Sequence, residues 1–272
     1  MEWSAEANRA MKKVPFFVRK KVRSKVEAYV AEKGGKRVEI QDVTAAKKHF
    51  MENMAPEIRG FSVDTCFGPD GCPNRAVDSD RLAAGIESLL AKADILGFLE
   101  KQVDGDLKFH HEFRVSLADC PNACSQPQIK DIGIIGAAVP GLTDEPCSRC
   151  SACMSACLED AVRFVDGQEG PVIDESRCVA CGQCVRVCPT GTLAVMKKGF
   201  RVLLGGKLGR HPVLARPLPG IYDESTVLEI IEKCVEHYKA KSKNGARFAE
   251  IVSAGGDDLF GRLAEAFESR RL

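Results

Sequence analysis

The sequence lacks several features that would narrow its function at once. It contains no apolar run near the roughly 20 residues of a membrane helix, and its start, MEWSAEANRAMKKVPFFVRKK, has no apolar core of a secretory signal. The formal net charge is only +1, without the imbalance that is typical of a nucleic-acid-binding chain. We therefore expect a cytoplasmic protein with no membrane span and no nucleic-acid partner.

Cysteine, by contrast, is abundant, with 13 in 272 residues. Such a number would indicate disulfides in a short secreted protein. In a longer chain without a signal peptide, it favours metal ligation instead.

The first 55 residues have a helical pattern. Trp3, Ala7 and Met11 recur at helical spacing, and a second helix is predicted from Pro15 to the Gly34-Gly35 pair, with a third after Asp42. This segment is basic, with eleven Lys and Arg against five Glu in its first forty residues. Such a run is usually a solvated helical face, and an anionic partner is the alternative.

The rest of the chain predicts an α+β fold. Strand-like runs in GFSVDTC, FRVSLADC and GFRVLLGG alternate with helical patterns such as RLAAGIESLLAKA and STVLEIIEKCVEHYKA. A cysteine-dense island interrupts this texture. We predict a helical domain over 1–55, an α/β domain over 56–142 and 193–272, and an inserted domain over 143–192.

The island contains two runs of the form C-x2-C-x2-C-x3-C. In each run three thiolates can hold one [4Fe–4S] cluster, while the fourth cysteine crosses to the other cluster. Zinc sites pair two C-x2-C units and have no use for a triple run. The predicted ligand sets are Cys147, Cys150, Cys153 and Cys188 for one cluster, and Cys178, Cys181, Cys184 and Cys157 for the other.

The island resembles the two-cluster bacterial ferredoxins, including Pro189 after the last cysteine. Leu158 stands where that family usually has proline, which changes the turn but removes no ligand. The resemblance implies a module that receives single electrons from an external donor protein and passes them on.

Four further cysteines occur in two pairs, C-x5-C and C-x3-C, and they suffice for a third [4Fe–4S] cluster. The pairs are Cys66 with Cys72 and Cys120 with Cys124. Their spacing, with CPNACSQPQIKDIGIIG and KGFRVLLGGKLGRHP, resembles the siroheme-dependent sulfite and nitrite reductases, in particular dissimilatory and anaerobic sulfite reductase subunits. In those subunits a ferredoxin module is inserted at the same place.

That resemblance implies a siroheme coupled to the third cluster through Cys124, with Asn122 beside it, and reduction of a small oxyanion, sulfite or nitrite. The family carries a Lys-Phe-Lys triplet before the C-x3-C loop, where this chain has Glu112-Phe113-Arg114. Arg114 retains a positive charge at the second of the two lysine positions. Lys108, with His110 and His111, either supplies a second or belongs to a solvated loop.

Lys207, Arg210 and His211 in GGKLGRHP are predicted to contact the siroheme carboxylates, because the glycines allow close backbone approach and the cations pair with carboxylates. A simple turn is the alternative. Lys207 and Lys108, with Arg114, are the candidate catalytic cations.

Residues 3–50 resemble the small helical domain of a light-independent protochlorophyllide reductase subunit. The sulfite reductase family's ferredoxin-like half, which helps to form the siroheme pocket, has no room between Pro56 and Cys66. Two interpretations stay open. One is a small siroheme reductase whose pocket is completed by a second copy or a partner subunit. The other is a non-catalytic iron–sulfur carrier that has lost siroheme. Cys234, on a helical pattern among apolar residues, is expected to be structural.

Overall fold

The computed structural model describes residues 1–12, 14, 16–52, 58–68, 70–253 and 258–272. Pro15 and Pro56, to which the sequence interpretation referred, lie outside these ranges. The chain divides into two compact units, Met1–Ile58 with Asp106–Phe109, and Arg59–Gly105 with His110–Leu272. None of the helices in the described ranges is long and apolar enough to cross a membrane.

The first unit is helical. Its elements are β1 (Glu2–Trp3), α1 (Ala5–Lys12), α2 (Phe16–Glu32), β2 (Arg37–Val38) and α3 (Ile40–Glu52). Strands β1 and β2 form a short parallel pair, and the core between the helices includes Ala7, Val26, Val30, Val38 and Ala46.

Two details of this unit differ from the sequence prediction. Trp3 lies in β1 and not on a helix; its Nε1 donates to Glu27 Oε1 at 2.6 Å. Helix α3 begins at Ile40, before Asp42 and not after it. The reason is that the Asp42 carboxylate accepts a hydrogen bond from the Glu39 backbone N–H at 2.8 Å, as the third residue of a helix does in a capping box.

The second unit is built on a five-stranded sheet. Its strands are β3 (Phe61–Thr65), β4 (Phe113–Ala118), β5 (Ile132–Leu142), β8 (Leu193–Leu204) and β9 (Arg216–Pro217), and they are adjacent in that order. Strands β3, β4 and β5 are parallel, while β5–β8 and β8–β9 are antiparallel. The parallel part brings the ends of β3 and β4 to the same edge of the sheet.

Five helices accompany this sheet: α4 (Asp80–Lys92), α5 (Ile95–Gln102), α8 (Glu224–Lys241), α9 (Phe248–Ser253) and α10 (Leu259–Ala266). The long amphipathic helix α8 buries Ile230, Ile231 and Cys234. Asp223 starts α8 by accepting a hydrogen bond from the Thr226 backbone N–H at 2.7 Å. The mixture of helices and strands is the predicted α+β class.

The cysteine-dense segment lies between β5 and β8. These strands pair until Leu142 meets Leu193, so residues 143–192 connect the two ends of a long antiparallel ribbon. The segment contains α6 (Ala152–Ser155), β6 (Val162–Phe164), β7 (Pro171–Ile173) and α7 (Gln183–Arg186), with β6 and β7 antiparallel. It has its own small core, in which Cys153, Val162, Cys184 and Leu193 are buried together.

Candidate functional site

The C-x5-C and C-x3-C loops meet at one edge of the sheet. Cys66 follows β3 and Cys120 follows β4, and the Cys66 backbone N–H donates to Leu117 O at 3.1 Å. Burial raises the pKa of the Cys120 thiol, and the nearby thiols of Cys66, Cys72 and Cys124 raise it further. The structure therefore brings together the four cysteines that the sequence pairs predicted as one ligand set.

Asp119 connects the two loops, although no sequence motif points to it. Its backbone N–H donates to Cys66 Sγ at 3.3 Å. Its carboxylate, 1% exposed, accepts hydrogen bonds from Arg75 Nε and from Ser79 Oγ. A side chain at Gly68 would collide with the same carboxylate, since an added Cβ would lie 2.1 Å from Oδ2. Gly68 thus permits the close approach of the first cysteine loop to Asp119.

The eight cysteines of the inserted segment surround two cavities. One cavity is lined by Cys147, Cys150, Cys153 and Cys188. The other, of about 300 Å³, is lined by Cys157, Cys178, Cys181 and Cys184. Each group holds three cysteines of one run and the fourth cysteine of the other run, which is the crossed arrangement expected of a two-cluster ferredoxin.

Backbone N–H groups point at several of these sulfur atoms. Ala161 N donates to Cys157 Sγ at 3.2 Å, Leu193 N to Cys188 Sγ at 3.4 Å and Arg149 N to Cys147 Sγ at 3.3 Å. Such bonds stabilise negative charge on sulfur, as cluster ligation requires. Burial acts in the opposite direction and raises the pKa of the Cys184 thiol to about 11. Binding of iron at this site would therefore displace a proton.

No group of three His, Cys, Asp or Glu side chains in the described ranges is arranged around a single metal ion. Thiolates that hold the corners of a four-iron cube stand further apart than the ligands of one ion.

The inserted module contacts the first cysteine loop directly. Gln183 Nε2 donates to Asn74 Oδ1 at 3.0 Å, and the Arg186 guanidinium donates to the backbone oxygens of Pro73 and Arg75. The cavity that contains Cys157 and Cys178 is also lined by Cys120 and Asn122. One ferredoxin-type cysteine group thus adjoins the C-x3-C loop.

The residues before the C-x3-C loop lie on two faces of β4. Phe113 packs against Tyr238 and Phe248, with ring centroids 5.2 and 5.5 Å apart. Because side chains alternate along a strand, Arg114 points to the opposite face, while Glu112 directly precedes the strand. The Glu112 carboxylate accepts a hydrogen bond from the Arg59 backbone N–H at 3.2 Å, and burial raises its pKa.

The other candidate cations are placed differently from one another. Lys108 is exposed and belongs to the first compact unit, whereas Arg114 belongs to the second. Lys207 is 16% exposed and pairs with Glu250, with Nζ 2.8 Å from Oε1. Lys207 and Val213 exchange two backbone hydrogen bonds of 2.9 Å, so residues 208–212 form the tip of a hairpin. Arg210 and His211 are exposed at this tip.

The glycines before Lys207 serve the packing of the chain itself. A Cβ at Gly206 would lie 2.5 Å from Gln128 O, and one at Gly205 would lie 2.4 Å from Val252. These glycines let the strand end approach the turn that follows Cys124, where Ala215 N also donates to Gln128 O at 2.7 Å. The hairpin is thereby fixed beside the C-x3-C loop.

Cys124 is exposed, while Cys120 is buried. Asn122 Nδ2 donates a hydrogen bond to Cys124 Sγ at 3.0 Å. An exposed cysteine in this four-cysteine group and an exposed arginine, Arg210, in the neighbouring hairpin suit a second cofactor that carries carboxylates. Cys234, by contrast, is fully buried on α8, far along the chain from the other twelve, and burial raises its pKa.

This fold and this set of cysteines define an iron–sulfur protein of the sulfite reductase type. Residues 59–270 match the nitrite and sulphite reductase 4Fe-4S domain family, and the chain belongs to that family. Residues 3–47 match a second family, the proto-chlorophyllide reductase 57 kD subunit. Both resemblances predicted from the sequence are thereby confirmed.

Two curated relatives are sulfite reductases. The chain is 32% identical to the coenzyme F420-dependent sulfite reductase of Methanocaldococcus jannaschii over 197 residues, which is 72% of this chain and 29% of that protein. It is 26% identical to a subunit of the anaerobic sulfite reductase of Salmonella typhimurium over 187 residues, which is 67% of this chain and 50% of that subunit. The chain thus spans half or less of the length of these relatives.

A crystal structure of dissimilatory sulfite reductase I has a similar fold. The TM-score is 0.51 with 16% sequence identity, over 84% of this chain and 58% of that chain. The likeness confirms the predicted fold class, a sulfite-reductase-like α+β domain with an inserted ferredoxin module. The roles of individual residues remain predictions.

Proposed function

We propose that this chain is a redox protein that reduces a small oxyanion, sulfite or nitrite, at a siroheme-coupled [4Fe–4S] centre held by Cys66, Cys72, Cys120 and Cys124. The observation that carries the proposal is the cavity that Cys120 and Asn122 share with Cys157 and Cys178. This shared cavity supports a relay in which one ferredoxin-type cluster adjoins the proposed catalytic centre. Reduction of sulfite to sulfide, or of nitrite to ammonium, consumes six electrons, so a relay beside the centre has a direct use.

The same contact gives the two ferredoxin clusters an order. The cluster of Cys157, Cys178, Cys181 and Cys184 would be proximal to the third cluster, and that of Cys147, Cys150, Cys153 and Cys188 would be distal. An external donor protein would then deliver electrons to the distal cluster.

Siroheme, when bound, would supply the iron that takes the oxyanion. The residues of this chain that would hold it are Cys124 as a thiolate ligand, Asn122 as the hydrogen-bond donor to that sulfur, and Lys207, Arg210 and His211 as partners for the carboxylates. Arg114 would neutralise the anionic substrate, and protonated side chains would deliver protons to the departing oxygens. Lys108 is the candidate for a second cation.

A second function is favoured by a separate observation. Glu112 is buried where the resembled family has a lysine. On this basis, the alternative is an iron–sulfur electron carrier without siroheme. Under the main proposal, a partner subunit or a second copy completes the siroheme pocket.

Anaerobic purification tests the two functions. The siroheme reductase should show siroheme absorption bands together with iron–sulfur charge transfer, acid-extractable tetrapyrrole, and reduction of sulfite or nitrite by a reduced low-potential donor. Iron–sulfur absorption alone, after expression in a host that makes siroheme and with candidate partner subunits present, would eliminate the reductase in favour of the carrier.

A further inference from the structure

Arg201 lies beneath the proximal cysteine group. It is on β8, directly opposite Ile135 on β5. Its Nη2 donates a hydrogen bond of 2.6 Å to Val179 O, in the loop between Cys178 and Cys181. Arg201 and Cys178 also line the same cavity. Arg201 therefore both supports this loop and places a positive charge beside one of its predicted ligands.

Arg201 has no carboxylate partner among the residues that the structure describes. No Asp or Glu in those ranges lies within ion-pair distance of it, and its Nε is buried without a hydrogen-bond acceptor. Two other arginines that reach into this unit are different, because Arg75 pairs with buried Asp119 and Arg247 with buried Asp131. Arg201 is partly buried, and a cation that is withdrawn from water without an anion is costly. Its neighbourhood thus indicates a missing negative charge.

We propose that Arg201 is the counter-charge of the cluster held by Cys157, Cys178, Cys181 and Cys184, and that it raises the reduction potential of that cluster above that of the distal one. The inference rests on the proposed relay, since it requires a cluster at these cysteines. A [4Fe–4S] cluster with four thiolate ligands is an anion in both redox states, and each electron it accepts adds one negative charge. A nearby cation in a low-dielectric setting therefore stabilises the reduced form.

The distal group has an arginine of its own, which serves as a natural comparison. Arg149 lies between Cys147 and Cys150, but its side chain is exposed, stacks on Phe164 with 4.9 Å to the ring centroid and donates to Gln168 O at 2.9 Å. Solvent and salt screen an exposed charge more than a partly buried one, such as that of Arg201. The two clusters therefore differ in how strongly a nearby cation stabilises their reduced form. An electron from the donor would then pass from the distal cluster to the proximal cluster, which has the higher reduction potential.

The test is a redox titration of the anaerobically purified full chain, followed by electron paramagnetic resonance. Arg201→Met removes the charge at similar length, Arg201→Lys keeps it, and Arg149→Gln removes the exposed charge. We expect Arg201→Met to lower the reduction equilibrium constant of one cluster about tenfold, a shift of about 59 mV for one electron. In Arg201→Lys the reduction potential of this cluster should stay closer to that of the wild type. In Arg149→Gln the reduction potentials of both clusters should change much less than in Arg201→Met.

An unchanged potential in Arg201→Met, with full iron content, would overturn the inference while leaving the relay intact. Iron content and spectra of the wild type that show no cluster at these cysteines would instead refute the relay. If Arg201→Met loses the cluster, Arg201→Gln repeats the test with a side chain that can still donate to Val179 O. If the cluster is lost in Arg201→Met and Arg201→Gln but kept in Arg201→Lys, the positive charge is required, which supports the counter-charge. If the cluster is lost in all three variants, the role of Arg201 is purely structural.

Discussion

Gln183 of the inserted module donates a hydrogen bond to Asn74, two residues after Cys72, with Nε2 and Oδ1 3.0 Å apart. The two residues are 109 positions apart in the chain. Together with the two backbone contacts of Arg186, this bond fixes the ferredoxin-type segment against the first cysteine loop. The contact can be weakened without touching any predicted cluster ligand.

We predict that Arg186→Ala slows electron transfer from the ferredoxin clusters to the third cluster. The substitution removes both backbone contacts, and hydrogen bonds of this kind contribute about 1 kcal/mol each, so the equilibrium constant for docking should fall by up to about thirtyfold. Rapid-freeze electron paramagnetic resonance after mixing with a reductant measures the rate. Arg163→Ala is the matched control, because Arg163 pairs with Asp174 inside the module, 3.6 Å away. Equal rates in both variants would contradict a role for this contact.

We predict that Cys124→Ala removes one cluster and that Cys234→Ala removes none. The chain should contain about twelve irons if all three clusters form, and Cys124→Ala should lose about four of them. Cys234 is buried on α8 among apolar side chains and should affect only thermal stability, through a small cavity. Iron and acid-labile sulfide analyses provide the measurement. Full iron content in Cys124→Ala would mean that Cys124 is no ligand of the third cluster.

The predicted ligand sets depended on local spacing, and for that reason the sequence was sufficient to propose them. The C-x2-C-x2-C-x3-C runs and the C-x5-C and C-x3-C pairs are each determined within a few residues of one loop. Helix α2 and helix α8 were recognisable because their apolar residues recur with the helical period. The fold class followed from the same alternation of patterns.

Other parts of the site depend on contacts between distant residues, which no local pattern reveals. Asp119 meets Arg75 across 44 positions, and Arg201 reaches Val179 across 22. The glycines of GGKLGRHP were interpreted as a cofactor approach, yet Gly205 and Gly206 pack against Val252 and Gln128 of the chain itself. A glycine in a sequence indicates that another group can approach the backbone closely, but it does not show whether that group is a cofactor or another part of the chain.

We predict that Glu112→Gln changes how thermal stability depends on pH. Burial raises the pKa of Glu112 in the folded protein above its unfolded value. The folded state therefore binds this proton more tightly, and the associated stability is present below the unfolded pKa and is lost as pH rises through the folded pKa. Glutamine keeps the acceptor for Arg59 N–H but does not ionise.

Differential scanning fluorimetry between about pH 4 and pH 8 tests this expectation. The melting temperature of the wild type relative to Glu112→Gln should fall as pH increases, since ionisation of a buried carboxyl opposes folding. Glu87→Gln is the control, because Glu87 is an exposed partner of Arg59. A constant difference across the range would show that the Glu112 carboxyl titrates normally.

We predict that Lys207→Ala lowers the siroheme content and that Glu250→Gln raises it at limiting siroheme. The Lys207 ammonium is held by Glu250 at 2.8 Å, and this pairing lowers the pKa of Glu250. A siroheme carboxylate would compete with Glu250 for the same ammonium, so neutralising Glu250 releases Lys207 for the cofactor. An ion pair of this exposure is worth about 1 kcal/mol or less, which corresponds to an affinity change of up to about fivefold. Reconstitution with siroheme, followed by absorption, gives the affinity. The control is Lys198→Ala, at an exposed position of β8.

If Lys207→Ala and Lys198→Ala bind siroheme equally well, Lys207 is only a structural partner of Glu250. The siroheme carboxylates must then be held by Arg210 and His211 alone.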